Sequence, residues 1–144
     1  MSYNPCIDID TESGENILRY DFSDFSLERK LFDMISDLVN QGLASYTEKT
    51  VDLYYPAVVN VHKATDSVKK MLLPIVEEIA TIDSGLYMSR SHYERTANDE
   101  NLKKEHERWK ATIENAERRI ATGLEALKSF PDDERFIITA WGTL

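Results

Sequence analysis

The chain has 144 residues, enough for one domain with a real core, and its 42% hydrophobic and 30% charged content excludes disorder throughout. Seventeen basic residues face 26 acidic ones, and the field of the resulting net charge of −9 repels phosphate backbones, so conventional nucleic-acid binding is not expected. No run of 18 apolar residues, no basic-then-apolar leader and only one cysteine, Cys6, are present, so no membrane span, secretory leader or internal disulfide is expected.

Residues 1–25 read as an acidic arm. Asp8, Asp10, Glu12, Glu15, Asp21 and Asp24 stand against Arg19 alone, with Asn4-Pro5 and Ser13-Gly14 as turn signals and a short strand over Asn16–Asp21. The first helix is expected near 26–41: Ser26 suits the N-cap, Leu27, Leu31, Met34, Ile35 and Leu38 recur at helical spacing, and Gly42 suits the C-terminal stop. Thr50, Val51, Leu53, Tyr54 and Tyr55 have strand-like propensity and are closed by Pro56. A second helix is expected over 57–72 on the stripe Val58, Val61, Thr65, Val68 and Leu72, with Pro56 in its first turn. A third, over 74–90, is expected to start at Pro74 and carry Ile75, Ile79, Ile82 and Leu86 on one face.

The strongest pattern is the last helix, 99–129, on Leu102, Trp109, Ile113, Ala116, Ile120, Leu124 and Leu127. Gly123 lies beside that stripe. A mid-helix glycine costs about 1 kcal/mol against alanine, so close approach of a neighbouring helix is expected there. The expected fold is mainly α, a bundle of about four helices (26–130) with extended arms at 1–25 and 131–144. Its predicted core includes Leu31, Ile35, Val61, Val68, Ile79, Leu86, Trp109, Ile113, Ile120 and Leu127.

The tail is apolar and β-prone where termini are usually polar: Phe136-Ile137-Ile138-Thr139-Ala140-Trp141. It must dock, either on its own helices or on another subunit. The reading adopted is a docking arm that adds a strand to a partner, with Phe136, Ile137, Ile138 and Trp141 as partner-binding residues.

No residue set points to catalysis, a cofactor or a metal. His62, His92 and His106 stand in separate segments without a two-ligand helical spacing. Asp8 to Gly14 faintly resembles a calcium loop, but its glycine is one place late and Arg19 stands where a bidentate glutamate is required. Glu77 and Glu78 point about a hundred degrees apart on a helix and read as solvated charge. Cys6 has no local cation to activate it.

Within about 56–128 the chain carries Leu73-Pro74, then Ile79-Ala80 followed by Tyr87, then Trp109, Ala116 and the ending Ile120-Ala121-Thr122-Gly123-Leu124-Glu125-Ala126-Leu127. On these residues the last two helices resemble the head–tail connector (neck adaptor) proteins of tailed bacteriophages. The family's long-helix aromatic is more often tyrosine. The resemblance implies a non-catalytic virion subunit, assembled in the bacterial cytoplasm. It would form a cyclic, dodecameric ring between portal and stopper or tail-completion protein, through which DNA passes without specific binding. The alternative is an acidic phage-encoded inhibitor that mimics DNA on a host nucleic-acid enzyme.

Overall fold

The alternation Ile7-Asp8-Ile9-Asp10 has the two-residue period of a strand with one buried face, and Cys6–Thr11 is strand β1. A turn closed by Gly14 N–H to Thr11 O (3.0 Å), with Gly14 in the left-handed region at φ 95°, returns the chain as β2, Asn16–Asp21. In this computed structural model residues 5–52 and 55–142 are described. Helix α1, Phe25–Asn40, is capped by Asp24 rather than by Ser26, its carboxylate accepting from Leu27 N–H. The helix stops at Gly42 (φ 74°), where Leu43 N–H bonds Leu38 O and Gly42 N–H bonds Val39 O, the double closure expected of a left-handed C-terminal glycine.

After α1 come β3 (Ala44–Tyr46) and β4 (Ala57–Val61), then helices α2 (Asp66–Thr81), α3 (Ser84–Thr96) and α4 (Lys103–Lys128), and last β5 (Phe136–Trp141). Among the described residues the five strands form one antiparallel sheet in the order β2-β1-β5-β4-β3. One face carries Ile7, Ile9, Leu18, Tyr20, Ala57, Val59, Val61, Phe136, Ile138 and Ala140, all buried in a core shared with α1, α2 and α4. Helix α1 lies against β3 and β4, α4 against β2, and α2 between them.

The chain is therefore an α+β protein, and the mainly α bundle is corrected by its sheet. Four misreadings account for the difference. The segment 57–72 is not one helix: Ala57, Val59 and Val61 alternate into the core as β4, and the helix starts only after Thr65 caps it at Val68 N–H. Pro74 does not open a helix but sits within α2 on its exposed face, where it forgoes one backbone hydrogen bond of the helix. The tail is the central strand: β5 pairs with β1 on one side and β4 on the other, so it docks on its own sheet, not as a free arm. The N-terminal arm is likewise a hairpin of that sheet. Leu53 and Tyr54 of the strand-prone stretch, residues 1–4 and residues 143–144 lie outside the described residues.

Of the predicted core, Leu31, Ile35, Val61, Val68, Ile79, Leu86, Ile120 and Leu127 are buried, whereas Trp109 and Ile113 are only partly so. The reason is length. At 1.5 Å per residue α4 runs roughly 40 Å against roughly 20 Å for a six-residue strand, and its buried positions are confined to Ile120, Gly123 and Leu127. Its first half packs against α3, through stacked rings of Tyr93 on His106 (4.0 Å) and His92 on Trp109 (4.4 Å).

Gly123 does meet a close neighbour, but that neighbour is strand β2 and not a helix. A Cβ there would lie 2.8 Å from Tyr20 Oη and 2.9 Å from Leu18 Cβ, while Tyr20 donates to Ile120 O at 2.6 Å and fixes the approach. Gly123→Leu is expected to destabilise by roughly 1–3 kcal/mol through overpacking, read as a lower melting temperature; an unchanged one would contradict the contact.

Deleting 134–144 removes two fully buried large side chains, Phe136 and Ile138, worth roughly 1.5–3 kcal/mol each, along with both ladders of the central strand. Against a typical total of roughly 5–15 kcal/mol, the truncated chain is expected to lose cooperative thermal unfolding by circular dichroism. A retained cooperative transition would contradict the central placement of β5.

Candidate functional site: the open face of the sheet

The strands that send Ile7, Ile9 and Ile138 inward send Asp8, Asp10, Ile137, Thr139 and Trp141 to the opposite face, because side chains alternate. Strand register then sets the neighbours: Asp8 lies opposite Arg19 on β2 and Thr139 on β5, Asp10 opposite Ile137, and Thr139 opposite Val58 of β4. Across this outer face a carboxylate-bearing strand, β1, borders an apolar one, β5.

A groove of about 680 Å³ runs along the face. Its floor is Val58, Asn60, Ile137, Thr139 and Trp141, one wall is the hairpin from Asp10 to Gly14, and the other is Thr47, Glu48 and Lys49 with Pro56. Both walls are fixed locally. Thr11 N–H donates to Glu15 O (2.8 Å) and Glu15 N–H to Thr11 Oγ1 (3.0 Å) across the hairpin. The Thr50 hydroxyl donates to Val58 O (2.8 Å) and accepts from Val58 N–H (2.9 Å), pinning the opposite wall to β4. A second hollow of about 520 Å³ shares Thr11, Glu12 and Ser13 and adds Asp133, Glu134 and Arg135, so the acidic lining continues past the hairpin.

The electrostatics of the face are unbalanced. Burial, then the charges of Asp10 and Asp21, push the Asp8 carboxyl above its ordinary range, against the opposing pull of Arg19 and of the Asn16 amide. Arg19 stands 3.8 Å from Asp8, and the single Asn16 Nδ2 donates to both Asp8 and Asp10, the latter at 3.0 Å. Among the described residues Asp10, Glu12 and Glu48 have no ion-pair partner. Burial pushes the Cys6 thiol up to about 11, so it stays protonated at neutral pH and is no nucleophile.

The sequence-predicted docking residues divide between the two faces. Phe136 and Ile138 are core, whereas Ile137 and Trp141 line the groove, with Tyr55 edge-on to Trp141 at 5.3 Å. Asp8 and Asp10 belong to a strand and not to an irregular arm, and their alternation with Ile7 and Ile9 is the sequence signal of its two faces. His62 is exposed beside Ser45 (2.8 Å), apart from His92 and His106 in the α3–α4 hairpin. Glu77 and Glu78 are exposed and face Lys128 (3.5 Å) and Lys30 (3.8 Å). Among the described residues no three His, Cys, Asp or Glu side chains gather as metal ligands, and no helix is long and apolar enough to cross a membrane. What the face offers is apolar contact area and uncompensated negative charge. Compared with known proteins, the chain matches no family model, no curated protein and no solved structure.

Because the folded state raises the Asp8 pKa, its stability contribution is complete below the ordinary carboxylate pKa and is lost as pH rises through the raised value. Asp8→Asn should therefore gain stability relative to wild type between about pH 4 and pH 7, measured by denaturant unfolding across that range. A difference that does not change with pH would contradict the burial of this charge.

Proposed function

We propose that the chain is a protein-docking subunit of a larger assembly, without catalytic activity of its own. The groove on the outer face of the sheet carries this reading: an apolar floor of Val58, Ile137 and Trp141 walled by Asp10, Glu12 and Glu48. Such a surface rewards contact, whereas catalysis needs a nucleophile or an acid–base pair held in reach of one another. The net charge of −9 fits a role in which nucleic acid is not a ligand.

The bacteriophage neck adaptor is the narrower form of this proposal. Its support is the helical pattern from Ile120 to Leu127 together with the acidic charge suited to a channel that DNA slides through. The helical architecture implied by that likeness is set aside with the bundle. Under this form the chain closes into a ring between portal and stopper, in the virion. An acidic DNA mimic is the second reading, favoured by Asp8, Asp10 and Glu12 recurring at every second residue from β1 into the hairpin, a regular line of negative charge.

Sedimentation velocity with mass determination separates these forms, applied to the purified chain and to material isolated gently from its own source. The docking reading expects particles heavier than the 16.6 kDa chain in the second preparation, and the neck form expects a closed ring. A lone monomer in both preparations contradicts the assembly reading. A monomer that competes with DNA for a nuclease supports the mimic.

A further inference from the structure

We infer that the groove on the outer face of the sheet binds an extended, cationic segment of another protein, with apolar side chains on the Val58–Ile137–Trp141 floor and lysine or arginine at the acidic walls. This rests on the docking reading above and names the partner's chemistry. Three observations converge on it.

The first is charge. The groove and the hollow that continues it are lined by Asp10, Glu12, Glu48, Asp133 and Glu134 against Lys49 and Arg135. Asp10, Glu12 and Glu48 have no ion-pair partner among the described residues. A second copy of this chain would bring the same acidic walls and a net charge of −9, and phosphate or an acidic peptide would be repelled for the same reason.

The second is that the charge is costly where it stands. Asp8 and Asp10 share one donor amide, Asn16, and crowd each other on neighbouring outward positions of β1. A cationic group laid in the groove beside Asp10 offsets the repulsion between the two carboxylates, which a neutral ligand cannot do.

The third is shape. The floor follows β5 and β4, walled on both sides by hydrogen-bonded turns, so it is already formed before a ligand arrives. A two-walled trough over strands accommodates an extended chain whose alternate residues point down to the apolar floor and up to the acidic walls.

The test uses the full chain and three short synthetic peptides of equal length: alternating lysine and valine, alternating lysine and serine, and alternating glutamate and valine. Binding is followed by backbone amide NMR shifts. The lysine–valine peptide is expected to bind with Kd below about 1 mM, shifting Ile137, Thr139, the 10–14 hairpin and 47–49. Its affinity should fall at least about tenfold in Asp10→Asn/Glu12→Gln/Glu48→Gln and in Ile137→Arg. Both variants must keep the wild-type spectrum away from the groove; Thr139→Arg replaces either one that does not. The lysine–serine peptide should bind more weakly, and the glutamate peptide should not bind.

Equal binding of the two lysine peptides, or shifts spread over the helical faces, would overturn the groove. So would the absence of binding by the lysine–valine peptide. Those results leave the assembly reading to its own measurement, the mass of the particle, so the two can fail separately.

Discussion

The fold depends on a strand that arrives last. β5 is hydrogen-bonded to β1 over its whole length on one edge and to β4 on the other, and its register places Phe136 beside Thr11 and Val61, and Ile138 beside Ile9 and Val59. Without it the sheet separates into two ribbons, β2–β1 and β4–β3, and a two-stranded ribbon is marginal in water. The approach to β5 is held accordingly. The buried Lys69 ammonium of α2 donates to the carbonyls of Lys128 and Phe130 at the end of α4 and to Asp132 Oδ1 at 3.0 Å. Ala64 N–H bonds Glu134 O at 2.9 Å, and Phe130 packs edge-on to Phe136 at 5.7 Å. A cation satisfied by two carbonyls at a helix C-terminus and one carboxylate sets the direction of the chain as it enters the sheet.

A second junction ties the helical hairpin to the sheet edge. Asp83 caps α3 at Leu86 N–H and accepts from Arg119 at 2.7 Å, while the same guanidinium donates to Arg19 O on β2 at 3.1 Å. The edge strand thereby has one of its outward carbonyls covered by a charged side chain, which blunts it as a template for pairing with other chains. With β5 central, the apolar tail is enclosed on both edges by β1 and β4.

Much of the helical content was legible because its cues were redundant. α1 has an apolar stripe and a glycine stop that agree, and α4 has a long three-and-four repeat; β2 was bounded by turn signals. The strands were harder for a specific reason. In β4, Val58 and Val61 sit three apart and continue into Thr65 and Val68, so the helical spacing fits by coincidence. The true signal was the density of β-branched residues in Ala57-Val58-Val59-Asn60-Val61. The strand character of β5 is legible in its sequence, but nothing local says that its two partners lie about 80 and 130 residues earlier in the chain. The groove was missed with them: Asp10, Ile137 and Val58 become neighbours only through that long-range register.

The division of the sheet into a helix-covered core face and an acidic, partly apolar outer face follows from β5 being native and central in the single chain. Native-state hydrogen exchange on the isolated protein tests that most directly, residue by residue. The account predicts that the β5 amides between β1 and β4 exchange only through global unfolding, with protection equal to that of the α1 core around Leu31 and Ile35. Exchange of the Phe136–Trp141 amides at the rate of a frayed terminus would contradict it, and would return the tail to the role of a free arm.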